Sequence, residues 1–304
     1  MNNLFTQQGM IFVLIVAGVL IKRLNIVNDE GQKCMTNLVI DVILPCNIIK
    51  AFCIEFSEQK SNELVLVFAI AVFVQIISYI YGRIMFCNEE EGRKKCLRYG
   101  IICSNAGFLG NPIAEGLYGA YGLMLASVFL IPLRIMMWTE GIAIFSGSRD
   151  WKSTLKRTLT HPCIIACAIG LFMMVTGFRF PAFVQNTITQ LGACNTAMSM
   201  LIIGMILSEI SPKTFIDKTV WIYCLHRLIL LPLLVYMITK LLNAPMIVQS
   251  ITVLLTAMPA GATTSILSAK YEVSKDFGAK LVIGSTLLSL VTLTVWSIIL
   301  KCGQ

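Results

Sequence analysis

The residues best suited to chemistry in this chain lie close together, at positions 104–116. They read Ser-Asn-Ala-Gly-Phe-Leu-Gly-Asn-Pro-Ile-Ala-Glu-Gly and lie within an apolar run. Proline removes a backbone donor and clashes with the carbonyl four residues earlier, and glycine adds backbone freedom, so we expect a broken helix. Freed backbone groups and side-chain amides can bind an anion. The candidate binding residues here are Asn105, Gly107, Gly110, Asn111 and Pro112.

A second stretch, residues 256–264, repeats this pattern with fewer polar side chains. It reads Thr-Ala-Met-Pro-Ala-Gly-Ala-Thr-Thr. Two interrupted helices at matching places in two halves of a chain are the best sequence indication of a transport site. The alternative is that each proline only kinks a packed helix. The candidate binding residues in this stretch are Met258, Pro259, Gly261 and Thr263.

Four ionisable residues within apolar runs are candidate charge partners, since charges inside a membrane are costly and usually functional. They are Asp41, Glu115, Arg134 and Arg227. Each arginine could pair with Asp41 or Glu115, contact a carboxylate of the cargo, or extend toward the membrane surface. The sequence leaves these three readings open. A cation site built from several carboxylates is not visible, because no acid in these runs has another acid one turn away.

Long apolar segments must position these residues. The chain has 304 residues, of which 57% are hydrophobic and only 13% are charged. Apolar runs of about 20 residues match the hydrocarbon core of a bilayer, where each run should form a helix. We therefore predict an all-α polytopic membrane protein with ten transmembrane helices. The segments lie near residues 4–21, 35–54, 64–84, 97–118, 122–145, 162–177, 187–207, 220–241, 247–269 and 279–300.

The basic residues predict an orientation for these segments. With the N-terminus outside, seventeen lysines and arginines fall in cytoplasmic connections and five on the outer side. Lysine and arginine concentrate on the cytoplasmic side of membrane proteins. We therefore predict an integral protein of the cytoplasmic membrane with both termini outside. The net charge of +8 does not indicate nucleic-acid binding, because the basic residues lie in the connections between apolar runs.

Ten segments divide into five and five, and an odd number inverts the second half relative to the first. This is the geometry of an inverted-repeat transporter. We predict a first five-helix repeat at residues 1–147, a short cytoplasmic connector at 148–160 and a second five-helix repeat at 161–304, forming one transporter unit. In this arrangement helices four and nine are broken and cross.

Three motifs resemble the auxin efflux carrier family. The Asn-x-Gly-Phe-x-Gly-x-Pro string at residues 105–112 is similar to that family's fourth-helix motif. Met258-Pro259 with the small residues after it, and Ala269-Lys270-Tyr271, are also similar, and residues 285–290 resemble the last helix. The similarity covers essentially the whole chain.

This resemblance implies two inverted repeats whose fourth and ninth helices cross where they break, as in bile-acid transporters and sodium/proton antiporters. It implies a cargo of small carboxylates, such as auxin, malate or malonate. The short connector is typical of a prokaryotic-type permease and argues against auxin itself.

The sequence therefore predicts a secondary transporter for a small organic anion, a mono- or dicarboxylate, working by alternating access. The alternatives are a sodium-coupled symporter of the bile-acid type and, from another class, a polytopic membrane receptor or enzyme. Nucleophile, nucleotide-binding and metal-ligand motifs are not found, so we expect no enzyme, metal or cofactor. The expected partners are the anion and the lipid bilayer, without nucleic acid. The sequence leaves the oligomeric state open, a homodimer included.

Overall fold

The structure, a computed structural model, describes residues 2–53, 58–147, 159–208 and 217–302. These residues are predominantly helical and form no β-strand. The helices are α1 (Asn2–Arg23), α2 (Asp29–Leu38), α3 (Leu44–Ala51), α4 (Glu58–Met85), α5 (Glu91–Ile102), α6 (Asn111–Trp138), α7 (Glu140–Ser146), α8 (Pro162–Thr176), α9 (Ala182–Ala193), α10 (Asn195–Leu207), α11 (Lys218–Leu225), α12 (Leu231–Leu241), α13 (Met246–Thr256), α14 (Thr263–Lys270) and α15 (Lys275–Cys302).

Six stretches of the described residues are long and apolar enough to cross a membrane. They are Asp29–Ala51, Gln59–Met85, Ala106–Met137, Ala182–Leu207, Lys218–Leu241 and Lys275–Leu300. Two shorter apolar helices, Pro162–Thr176 and Met246–Thr256, accompany them. The prediction of an all-α membrane protein is confirmed. The count of ten crossings and the inverted repeats stay predictions.

In the described part of the chain, three π-helical turns of five residues widen the helices, and each is followed by a proline at the same spacing. The turns are Val39–Ile43, Ala106–Gly110 and His226–Leu230. In each case a proline stands two residues after the turn, at Pro45, Pro112 and Pro232. A proline ring cannot accept the normal spacing to the preceding turn of helix, and a wider turn relieves that clash. These prolines therefore leave the helix continuous.

The described helices are interrupted at other places. Residues 103–105, between α5 and the second π-helical turn, are not helical, and neither are residues 257–262 between α13 and α14. Within α6, Gly119 has φ +64° and ψ −157°, a conformation that residues with a Cβ rarely adopt. The interruption of segment four falls at residues 103–105, at the start of the stretch 104–116 where a broken helix was predicted. The helix runs on through Pro112, because the π-helical turn accommodates the proline.

The chain folds into two compact units. Unit 1 comprises Met1–Leu64, Asn111–Val128 and Leu159–Ile210. Unit 2 comprises Val65–Gly110, Phe129–Thr158 and Ser211–Gln304. Each unit draws on both halves of the chain. The predicted repeat boundaries at residues 147 and 161 therefore stay a prediction, and most of the predicted connector at 148–160 lies outside the described residues.

Unit 1 is built on close helix packing between α1 and α10. A Cβ added to Gly204 would lie 2.0 Å from the carbonyl oxygen of Ile15, and one added to Gly18 would lie 2.2 Å from that of Leu201. Small residues allow backbones to approach in this way inside membranes. In the same unit, α3 packs against α8 and α9.

Unit 2 packs α5 against α15 and α7, and α13 against α12 and α15. Its core is rich in aromatic side chains. Tyr99 and Tyr223 are fully buried, and the Tyr99 ring makes an edge contact with Phe145. Trp296 donates a hydrogen bond from its indole N–H to the carbonyl of Leu228, which ties α15 to the third π-helical turn. This packing fixes the elements that carry the two interruptions at residues 103–105 and 257–262.

Candidate functional site

The two interrupted stretches of unit 2 pair with each other through their backbones. Ser104 and Ala260 form an isolated antiparallel bridge. The N–H of Asn105 donates to the carbonyl of Pro259 over 2.8 Å, and the N–H of Gly261 donates to the carbonyl of Cys103 over 3.0 Å. Buried backbone groups need partners, so each break satisfies donors and acceptors that the other has freed. We call residues 103–105 and 257–262 the crossing.

Small residues make the crossing close. A Cβ at Gly261 would lie 3.1 Å from the carbonyl oxygen of Cys103, so a larger residue would push the two stretches apart. Gly110 is tighter, because a Cβ there would lie 2.5 Å from Leu255 Cδ2. At Gly107 a Cβ would meet nothing within 4 Å, and the space beside it is open. Gly261 and Gly110 therefore serve packing, whereas Gly107 borders open space.

Arg227 binds the crossing from the third π-helical turn. Its Nε donates to the carbonyl of Met258 over 3.0 Å, and an Nη donates to the carbonyl of Ile101 over 2.9 Å. The side chain is only 2% exposed. Ile101 belongs to the last turn of α5 and Met258 follows the end of α13, so both carbonyls lack a helical partner. One guanidinium thus satisfies both freed ends.

Ser285 supports the same place from α15. Its hydroxyl accepts a hydrogen bond from the N–H of Ala260 over 3.2 Å and donates to the carbonyl of Leu281 over 2.7 Å. Two other hydroxyls of the crossing region, Ser104 Oγ and Thr264 Oγ1, are buried without a hydrogen-bond partner among the described residues. Thr263 is half-buried, and its hydroxyl lies 3.9 Å from the sulfur of Met137. Polar atoms thus gather around a buried backbone crossing.

Asn111 is the most unusual of the predicted site residues. It belongs to unit 1 and has no solvent exposure. Both its Oδ1 and its Nδ2 lack a hydrogen-bond partner among the described residues. An unpaired buried amide costs about 1–3 kcal/mol, so such a group calls for an explanation. Pro112, beside it, is buried in the first turn of α6.

Glu115 pairs with Lys50, not with an arginine. Its Oε1 lies 3.2 Å from Lys50 Nζ, and its Oε2 accepts a hydrogen bond of 2.9 Å from the amide of Asn47. All three residues belong to unit 1. Asn47 and Lys50 lie three residues apart on α3, so they share one helix face. Of the pairings that the sequence left open for Glu115, neither arginine is the partner found in unit 1, where the lysine on α3 lies within reach.

The other candidate charge partners are separate from the crossing. Asp41 lies in the first π-helical turn and is exposed. Arg134 is 4% exposed, and its Nη1 has no hydrogen-bond partner among the described residues. Of the readings left open for Arg227, pairing with Asp41 or Glu115 is not what unit 2 shows. Main-chain carbonyls take that role, since they carry the partial negative charge of two helix ends.

Charge reversal tests the Lys50–Glu115 pair. We expect Lys50→Glu to lower the thermal midpoint of purified protein, because it places two partly buried carboxylates together beside the uncharged Asn47 amide. The loss should be on the order of 1–2 kcal/mol. The double variant Lys50→Glu/Glu115→Lys should recover most of it. A double variant as unstable as the sum of its two single variants would contradict the pairing.

The apolar spans define a helical integral membrane protein, in which two interrupted stretches pair within unit 2. The chain belongs to the membrane transport protein family, whose model matches residues 4–150 and 148–297. This match confirms the resemblance to the auxin efflux carrier family, because the matched family includes those carriers. It identifies the chain as a transporter.

Two archaeal proteins are similar over nearly their full lengths. An uncharacterized transporter of Methanocaldococcus jannaschii is 25% identical over 305 residues, covering 95% of this chain and 96% of the relative. An uncharacterized transporter of Methanothermobacter thermautotrophicus is 25% identical over 297 residues, with the same coverage of each chain. The likeness therefore extends over the whole chain.

Proposed function

We propose that this protein is a secondary transporter that moves a small organic anion, a mono- or dicarboxylate, across the cytoplasmic membrane by alternating access. The observation that carries the proposal is the crossing of two interrupted helices with Arg227 bound to both freed C-terminal ends. In this proposal ten helices form two inverted repeats, and the crossing belongs to helices four and nine.

The charges at the crossing favour an anion. Each helix end carries about half an elementary charge, negative at the C-terminus and positive at the N-terminus. Arg227, with one full positive charge, offsets the C-terminal ends of α5 and α13. The helix ends that begin at Ala106 and Thr263 remain positive and uncompensated. Among the described residues, no carboxylate forms an ion pair with Arg227, so the summed charge is about +1.

Polar groups for recognising the anion are also present. Free N–H groups at the two helix N-termini can donate to a carboxylate. The buried hydroxyls of Ser104 and Thr264 can add further donors. The open space beside Gly107 leaves room for a small molecule. In unit 1, the unpaired amide of Asn111 is by itself a predicted donor to the anion.

A thermal-shift panel tests the cargo class. Purified protein should be stabilised by at least one small mono- or dicarboxylate. A ligand present at a hundred times its Kd adds about 2.7 kcal/mol to the free energy of unfolding. The matching alcohols and amines, which lack the negative charge, should give no shift. Stabilisation by amines alone would contradict an anion site.

Flux measurements with the stabilising anion separate the alternatives. Its uptake into proteoliposomes distinguishes a carrier from a receptor or an enzyme, neither of which moves its ligand across the bilayer. Replacing sodium by choline then distinguishes the two kinds of carrier. A flux that stops without sodium would favour the symporter of the bile-acid type.

The orientation is tested by reporter fusions at residue 304. The bias of seventeen basic residues against five predicts that the C-terminus lies outside. An alkaline-phosphatase fusion should be active there, and a green fluorescent protein fusion should be dark. The reverse result would overturn the topology, and a fusion after Ser146, on the predicted cytoplasmic side, provides the matched control.

A further inference from the structure

Unit 2 contains a polar cavity outside the crossing. Its volume is about 270 Å³, and it is lined by the last turns of α4, by α5 from its first residue to its last, and by α7. The wall combines three cations and two carboxylates with apolar side chains. The polar lining residues are Tyr79, Arg83, Glu91, Lys95, Arg98 and Glu140. Under the proposed orientation, the end of α4, the start of α5 and the end of α7 lie at the cytoplasmic surface.

The cationic side chains at this cavity outnumber the carboxylates that could neutralise them. Lys94, which is not part of the wall, donates a hydrogen bond of 2.6 Å to Glu91 and lowers the pKa of that carboxyl. Glu91 also interacts with Arg98 and Lys95. With Lys94 counted, four cations stand against the two carboxylates Glu91 and Glu140. The balance of the cavity is positive, which suits an anionic group.

Arg98 lines the cavity and carries one unpaired donor. Its Nε is buried and has no hydrogen-bond partner among the described residues. A buried guanidinium donor left unpaired is costly, and a phosphate oxygen is well suited to accept from it. Arg83 lies 4.5 Å above the ring of Tyr79, which orients its charge along the surface of α4.

An apolar stripe begins beside these cations. Ile76, Ile80 and Ile84 are spaced four residues apart on α4 and are 53%, 50% and 63% exposed. Tyr79 and Arg83 lie three residues from them on the neighbouring row of the same helix. A phosphate group next to an exposed hydrocarbon stripe has the layout of a phospholipid at a membrane surface. A soluble anion would need the cations but not the stripe.

We propose that this cavity binds the headgroup phosphate of an anionic phospholipid of the cytoplasmic leaflet. The phosphate lies among Arg83, Lys95 and Arg98, and an acyl chain follows the stripe of Ile76, Ile80 and Ile84. Basic pockets between transmembrane helices on the cytoplasmic side bind acidic headgroups in this way. Only the choice of leaflet rests on the proposed orientation, and the transported anion plays no part in the binding.

Native mass spectrometry with titrated lipid tests this site. The purified protein should bind a first molecule of phosphatidylglycerol more tightly than phosphatidylcholine. Each cation near a headgroup contributes about fivefold in affinity, so Arg83→Gln/Arg98→Gln should weaken that first site on the order of twentyfold. Lys275→Gln removes an exposed cation from the same predicted side, outside the cavity, and should change the affinity less than about twofold.

Three results would overturn the assignment. They are equal affinity for the two lipids, unchanged binding by the double variant, and displacement of phosphatidylglycerol by equimolar inorganic phosphate, which would assign the cavity to a soluble anion. If the double variant fails to fold, Lys95→Gln alone should still weaken the site about fivefold. Anion flux through the transporter is measured separately, so a failed lipid site leaves the proposed function untouched.

Discussion

Arg227→Met is expected to destabilise the protein more than any other single change considered. It removes two charge-assisted hydrogen bonds and leaves the carbonyls of Ile101 and Met258 buried without a donor. Together these effects should cost roughly 3–5 kcal/mol. The thermal midpoint of the purified protein should fall by about 5–10 °C. Uptake per folded molecule should fall as well, because the uncompensated C-terminal ends would repel an anion.

Two further variants make this test specific. Arg227→Lys keeps the positive charge, but a single ammonium cannot bind both carbonyls as the planar guanidinium does. Its thermal midpoint should therefore lie between those of wild type and Arg227→Met. Lys240→Met removes an exposed cation from α12 and should leave both the midpoint and the uptake unchanged. An Arg227→Met protein as stable and active as wild type would show that the crossing does not depend on this side chain.

Asn111→Leu is expected to separate stability from function. The variant replaces a buried, unpaired amide by an apolar group of similar size. Removing an unsatisfied polar group is neutral or stabilising, so the thermal midpoint without cargo should hold or rise. If the amide binds the anion, affinity should fall about ten- to a hundredfold, equivalent to about 1.4–2.8 kcal/mol. A thermal-shift titration with the stabilising carboxylate measures both quantities in one experiment.

A structural role for Asn111 predicts the opposite outcome. The variant would then lose folded protein, while the remaining folded molecules would bind and transport like wild type. Asn105→Leu changes the second predicted binding asparagine, so the affinities of the two variants can be compared. Asn105 is 8% exposed, and its backbone already bonds to Pro259. If Asn111→Leu has wild-type affinity, the anion site lies elsewhere.

Composition and local pattern were sufficient to predict the helical membrane fold. The apolar runs depend only on residue type, and the family motifs follow the local sequence at residues 105–112 and 258–259. The break in segment nine was also predicted at Pro259, where the chain is non-helical. In segment four the break lies at the start of the predicted stretch 104–116, and its exact position could not be predicted. Pro112 is accommodated by a π-helical turn, and the interruption depends on pairing with residues more than 150 positions away.

The partners of charged groups were harder to predict. Arg227 was recognised as a buried cation, but its partners are carbonyls that become available only after both helices have broken. The Lys50–Glu115 pair was not predicted, although the three-residue spacing of Lys50 from Asn47 could have indicated a shared face toward Glu115. Ser285 carried a family motif but no local sign that its hydroxyl accepts from the crossing.

The most direct test of the proposed function is the initial rate of uptake of the stabilising, radiolabelled carboxylate into proteoliposomes, normalised to folded protein. The proposal predicts saturable uptake by the wild type that the unlabelled carboxylate inhibits. Asn111→Leu should need about ten- to a hundredfold more substrate to reach half-maximal rate. A wild-type rate no higher than that of empty liposomes for every carboxylate tested, with saturable uptake of a cation or a neutral solute instead, would contradict the account.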